Sequence, residues 1–183
     1  MTKLIEPKLI HITMLEDTPI GSIGLARSTN GLIAFEFIEN ISDLVKIIHK
    51  RYKGIKVIID DTTDTDTILN NAQNQLIEYL NGTRNEFALP IDWSVMRPFQ
   101  EKVLKATSQI PYGKTRTYGE IASQIGSPQS ARAVGRIEAT NPLPIIIPCH
   151  RVIGADGSLR GYGGGGGIET KVLLLQLERS MSI

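Results

Sequence analysis

On either side of residues 84–97 (RNEFALPIDWSVMR) the hydrophobic period of the chain changes, and neither one sheet nor one helical bundle accommodates both patterns. Before this stretch, residues 9–15 (LIHITML), 20–26 (IGSIGLA) and 32–37 (LIAFEF) are β-prone, and residues 28–31 (STNG) offer a hairpin turn between the last two. Residues 42–52 place Leu44, Ile47 and Ile48 at helical spacing behind a Ser42 cap, and residues 56–60 (KVIID) return as a strand. An acidic, Thr-rich connector (61–67) leads to a second helix over 68–81, closed by Gly82. Beyond Pro98 the pattern is helical. Residues 98–108 put Phe99, Val103 and Ala106 on one face, residues 110–113 (IPYG) break the chain, and two short helices, 117–125 and 131–137, flank a turn at 126–130. The expected organisation is an α/β domain over 1–92 followed by a mainly α domain over 93–183.

Charge divides along the same line. Residues 1–92 carry 9 Lys and Arg against 13 Asp and Glu, net −4; residues 93–183 carry 11 against 6, net +5. The second unit is therefore the candidate for a polyanionic partner. Its helix–turn–helix pattern is the shape of a DNA-reading module. The second helix sets Arg132 and Arg136 among Ala131, Ala133 and Gly135, small residues that let a helix backbone press against another surface. A packing helix rich in alanine gives the same pattern, so spacing alone leaves both readings open.

Cys149 is the one cysteine in 183 residues, which excludes an internal disulfide and a multi-cysteine zinc site. No stretch is apolar enough to span a membrane, and a reducing cytoplasm, or a nucleus in a eukaryote, is the expected location. His11 and His49 stand alone in strand and helix patterns, where histidines are mostly structural or solvated. A lone thiol is by default a small buried hydrophobe. Its setting here, PIIIPCHRVI (144–153), departs from that default, because His150 follows it directly and Pro144 and Pro148 stiffen the approach.

Taken together, PCHRV at the thiol, Asn141-Pro142 upstream, ARAVG at 131–135, Tyr118-Gly119-Glu120 and the closing ETKVLLLQLE (169–178) resemble the O6-alkylguanine-DNA alkyltransferases. The likeness is strong over 98–178 and looser in the first half, through Thr18-Pro-Ile-Gly21 and Gly31-Leu-Ile33. It implies an N-terminal ribonuclease-H-like domain and a C-terminal winged-helix-like domain with a helix-turn-helix. It also implies stoichiometric transfer of an alkyl group from O6-alkylguanine, and O4-alkylthymine, in double-stranded DNA to Cys149, by a monomer without cofactor or metal.

Residue by residue, the resemblance gives His150 as base through a water, Glu178 as its orienter and Tyr118 as proton donor to the leaving guanine. Arg132 fills the place of a flipped base, with Ala131, Ala133, Gly135, Arg136 and Tyr118 along the DNA. Tyr162, Gly165, Val152, Lys171 and Pro144 line the alkyl and base pocket, and Asn141 holds the hinge. A non-transferring lesion sensor of the alkyltransferase-like kind is the alternative, and the thiol at 149 argues against it. Residues 163–167 are five consecutive glycines, with Gly163 and Gly164 in excess of the family's spacing. A side-chain-free roof over the alkyl pocket is the expectation for that run.

Overall fold

The computed structural model describes residues 8–60 and 67–180; of the connector expected at 61–67, residues 61–66 lie outside them and Thr67 already belongs to a helix. The chain divides into two compact units at Met96/Arg97. That is four residues beyond the expected 92/93 break, because residues far back in the chain hold the segment between. The Leu32 N–H donates to the Pro90 carbonyl (2.8 Å) and the Asp92 N–H to the Leu32 carbonyl (3.0 Å). The Asp92 carboxylate accepts from Ser28 Oγ (2.5 Å) and caps the short 3-10 turn Trp93–Val95, whose last residue packs on the first core. Gly31 permits this closure, since a Cβ there would sit 2.6 Å from the Pro90 oxygen.

In the first unit, β1 (Leu9–Leu15), β2 (Ile23–Arg27), β3 (Leu32–Phe37) and β4 (Lys56–Ile59) form a sheet in the order β3-β2-β1-β4, antiparallel except for the parallel β1–β4 pair. Parallel pairing requires a crossover, and the chain supplies α1 (Ile41–Arg51) before β4. Leu44 and Ile48 of α1 bury against Ile10, Ile12, Ala26 and Ile33 of the sheet. Each such side chain contributes about 1.5–3 kcal/mol by leaving water. Asn40, not Ser42, caps α1: its Oδ1 accepts from the Asp43 N–H and from Ser42 Oγ, so the expected cap residue sits inside the first turn. Helix α2 (Thr67–Leu80) ends at Gly82, whose φ of 72° turns the chain. His11 is half-buried and its Nδ1 meets Asp60 at 2.8 Å, whereas His49 is exposed.

The second unit contains α3 (Pro98–Ser108), β5 (Arg116–Thr117), α4 (Tyr118–Gln124), α5 (Ala131–Ala139), β6 (Val152–Ile153) and α6 (Ile168–Ser180). The short β5 and β6, which the sequence pattern did not suggest, pair in parallel. Thr117 caps α4 through a reciprocal box with Glu120, and a 3-10 turn at Pro128–Ser130 delivers the chain into α5. Val103, Ala106, Ile110, Ile121, Val134 and Val152 form the common core. Phe99, expected on the buried face of α3, is instead exposed, because it lies in the first turn of the helix ahead of the packed residues Val103, Leu104 and Ala106. Among the described residues no helix is long and apolar enough to cross a membrane.

Candidate alkyl-acceptor and DNA-reading site

The site is built around the turn that precedes the thiol. Asn141 spans that turn: its Nδ2 donates to the Ile147 carbonyl (2.8 Å) and its Oδ1 accepts from the Leu143 N–H (3.0 Å). Between these anchors Ile145 has φ 72°, a left-handed conformation that a β-branched residue adopts only when its surroundings enforce it. The Asn141 clasp and the burial of Leu143 to Ile147 supply that enforcement. The chain leaves the turn through Pro148 into a single 3-10 turn, Cys149–Arg151, and then into β6.

All three residues of that turn are buried. His150 Nε2 lies 2.8 Å from Glu178 Oε1 on α6. Arg151 approaches the same carboxylate with Nε at 3.1 Å from both oxygens and an Nη at 2.8 Å, donates its other Nη to the Ile110 carbonyl (2.6 Å), and lies over the Tyr112 ring. The Gly113 N–H donates to Glu178 Oε2 at 3.1 Å. Burial alone would raise the Glu178 carboxyl, but the hydrogen bonds from His150 and Arg151 and the charge of Arg151 outweigh it and pull it down to about 2. His150 moves the other way. Burial, helped by Arg151 and Lys171, disfavours its protonated form more than Glu178 favours it. The ring is therefore neutral near pH 7, donates Nε2–H to the ionised Glu178, and keeps Nδ1 as its basic nitrogen.

Cys149 is a thiol at rest. Burial pushes it up to about 12, the negative charge of Glu138 adds to this, and a hydrogen bond from Asn141 and the Lys171 cation act in the opposite sense. Lys171, with no exposed surface, donates from Nζ to the carbonyls of Val152 and Leu159 (2.7 Å each) and so ties β6 to the following loop. Tyr118 begins α4 half-buried, its ring packed at 3.7 Å from where a Gly135 Cβ would stand. Burial and then the charges of Glu138 and Cys149 keep its phenol protonated. Burial does the same for Tyr162, whose hydroxyl is shielded from solvent and has no hydrogen-bond partner among the described residues.

On α5, Val134 and Glu138 face inward, while Arg132, Ala133 and Arg136 are exposed and Ala131 and Gly135 lie partly covered between them. Beside this helix opens a groove of about 470 Å³, lined by Tyr118, Ala131, Arg132, Gly135, Arg160 and Gly161 among others. The five residues expected to line the alkyl and base pocket, Tyr162, Gly165, Val152, Lys171 and Pro144, do not line this groove. Val152 and Lys171 are occupied with each other, the Pro144 carbonyl accepts from the Ile146 N–H (2.9 Å), and the Gly165 carbonyl accepts from Thr170 Oγ1.

The glycine run is a built turn. Gly166 and Gly167 have φ of 72° and 59°, the Gly167 N–H donates to the Gly164 carbonyl, and Gly163 passes so close to the Ala139 carbonyl at the end of α5 that any Cβ would collide with it. The expected absence of walls at Gly163 is thus a close approach of two backbones. Arg151 and Glu138 were not singled out from sequence. Arg151 was in plain view inside PCHRV, and the i, i+4 relation of Glu138 to Val134 would have placed its carboxyl on the buried face of α5.

A ribonuclease-like α/β unit, followed by a helix-turn-helix unit that buries a cysteine, a histidine and a glutamate together, defines the class of the DNA alkyltransferases. Two family models match the chain: the ribonuclease-like domain of 6-O-methylguanine DNA methyltransferase over residues 10–93 and its DNA-binding domain over residues 98–180. The chain belongs to the 6-O-methylguanine DNA methyltransferase family. A methylated-DNA–protein-cysteine methyltransferase of Mycobacterium bovis is 53% identical over 172 residues, covering 94% of each chain. Its counterpart in Methanosarcina acetivorans is 40% identical, covering 90% of this chain and 96% of its own. The crystal structure of Mycobacterium tuberculosis OGT in complex with DNA matches with a TM-score of 0.75 at 41% identity, covering 93% of this chain and 94% of that one.

Proposed function

We propose that this chain repairs DNA by moving an alkyl group from the O6 atom of guanine to Sγ of Cys149, once per molecule. The observation that carries this reading is the single thiol, buried next to a neutral His150 whose Nε2 is committed to Glu178. A free thiolate at rest would be costly in this setting, so deprotonation is coupled to attack. His150 Nδ1 takes the Cys149 proton through a water, sulfur displaces the alkyl carbon, and the C–O bond breaks with its electron pair on guanine. The protonated Tyr118 phenol donates to the departing ring and is reprotonated from His150 by way of solvent, so the thiol proton ends on guanine. The product is a thioether, which water does not cleave, and the chain is spent.

The damaged base leaves the duplex to reach Cys149, at a cost of a few kcal/mol. Arg132 fills the gap while Ala131, Ala133, Gly135 and Arg136 lie along the minor groove. The protein acts as a monomer in the cytoplasm. Intact mass after incubation with duplex DNA containing O6-methylguanine tests this reading. A gain of one CH2 on Cys149, never more under excess DNA and absent in Cys149→Ser, is the expected result. Turnover, or label on another residue, overturns it.

A further inference from the structure

Glu138 is a buried acid that the alkyl-transfer chemistry does not use. It is 5% exposed on α5, one turn beyond Gly135, against which the Tyr118 ring packs. Its Oε1 lies 2.5 Å from Thr107 Oγ1 on α3, and its Oε2 has no hydrogen-bond partner among the described residues. Thr107 Oγ1 also lies 3.1 Å from the Val103 carbonyl. One hydroxyl hydrogen cannot serve both oxygens. When Thr107 donates to the Val103 carbonyl, which accepts only, the short contact requires Glu138 to carry a proton and donate it to Thr107. When Thr107 donates to Glu138 instead, the same contact suits the ionised carboxylate, so the pair accommodates both protonation states.

The groups that face Glu138 make its charge consequential. Lys171 comes from α6, Cys149 from the turn before β6 and Tyr118 from α4, while α3 presents the uncharged Thr107. A negative charge at 138 sets itself against a second negative charge at the Cys149 sulfur, and both residues are shielded from bulk solvent, which strengthens the repulsion.

We propose that Glu138 is a charge gate on the alkyl acceptor: neutral, it lets Cys149 yield its proton, and ionised, it holds that proton on sulfur and slows transfer. Glu138 acts through Cys149 and touches no reacting atom, so it is a positioning residue. Burial, opposed by Thr107 and Lys171, raises its carboxyl to about 7, which sets the gate within the physiological range. His150 adds no step of its own above neutrality, because it is already unprotonated there. Each unit by which ionised Glu138 raises the thiol reduces the thiolate about tenfold, and the greater nucleophilicity of the more basic sulfur returns about half of that exponent. The rate then falls about threefold per unit.

The inference rests on the alkyl-transfer reading, and its test separates the two. Single-turnover transfer from O6-methylguanine duplex is measured from pH 5.5 to 9 for the parent and Glu138→Gln. The parent is expected to match the variant below pH 6 and to fall about threefold or more behind it by pH 8.5. Superimposable profiles, or a variant slower by one factor at every pH, overturn the gate. In the parent alone, NMR of 13C-labelled cysteine reads a single residue, and 13C-labelled glutamate reads the carboxyls. The Cys149 resonance should inflect at the pH where one glutamate titrates near neutrality. Absence of that shared inflection overturns the gate even if the variant does not fold. Failure of transfer by the parent at every pH overturns the alkyl-transfer reading instead, with the NMR titration still interpretable.

Discussion

Replacing Glu178 with Gln removes one negative charge from a place where His150, Arg151 and the Gly113 N–H converge on it. The structure fixes both the size of the effect and its pH dependence. The carboxyl of Glu178 lies at about 2 in the folded chain against an ordinary 4.5. A folded-state value below the unfolded one means that the unfolded state binds the proton more tightly. The ionised form therefore contributes stability above the unfolded value, and this is lost as pH falls through the folded one. The difference corresponds to about 3 kcal/mol at pH 7, of which about 2 kcal/mol is gone by pH 3. Glu178→Gln also leaves Arg151 as a buried cation without its partner, so the loss at pH 7 should reach about 3–5 kcal/mol.

Urea unfolding of parent and variant, followed by circular dichroism at pH 7 and at pH 3, measures the gap at each pH. The expected result is a large gap at pH 7 that narrows by about 2 kcal/mol at pH 3. Other carboxylates titrate in both proteins and cancel in the comparison. A gap of equal size at both pH values would falsify the electrostatic account and assign the effect to packing alone. A variant as stable as the parent at pH 7 would show that the convergence of donors on Glu178 does not stabilise the fold.

Two further outcomes follow from the reading helix and the glycine turn. Arg132→Ala should slow transfer from duplex DNA far more than transfer from the free modified base, because only the duplex has a gap to fill; equal losses on both substrates would make Arg132 structural. Gly163→Ala should destabilise the chain by about 1–3 kcal/mol in thermal melts, because its Cβ meets the Ala139 carbonyl and backbone must move; an unchanged melting temperature would show that the turn yields freely.

Much of the architecture was legible because it is local. The period change at residues 84–97, the β-prone segments and the Gly82 stop of α2 are written in consecutive residues, and the structure places those elements within a few positions of where they were expected. The departures arise where distant residues decide. The exception is local: Asn40 takes the cap of α1 from Ser42 because the chain enters the helix two residues earlier than the spacing suggests. The end of the first unit moves to Met96 because Asp92 is held by Ser28, sixty-four residues away. In the site, Cys149, His150, Glu178 and Asn141 were visible through a resemblance, not through spacing. Arg151 and Glu138 escaped because a charged residue in a short motif or on a basic helix looks solvated until tertiary packing buries it. The tie between Lys171 and the Val152 carbonyl spans nineteen residues, and sequence order does not reveal it.

The Asn141 clasp also bears on how the chain ages. A protein that acts once must wait intact for its one event, and asparagine is a weak point during waiting, because the backbone nitrogen of the next residue can attack the side-chain amide and leave aspartate behind. Asn141 is followed by Pro142, which has no N–H to give up for that attack. Asn30 and Asn81 are each followed by a glycine, the least hindered neighbour there is, and both lie at turns of the first unit. Slow chemical damage is thereby steered away from the turn that presents the thiol. The protein's shelf life as a loaded alkyl acceptor is protected by the residue next to its hinge, while its clock runs in two turns of the other unit.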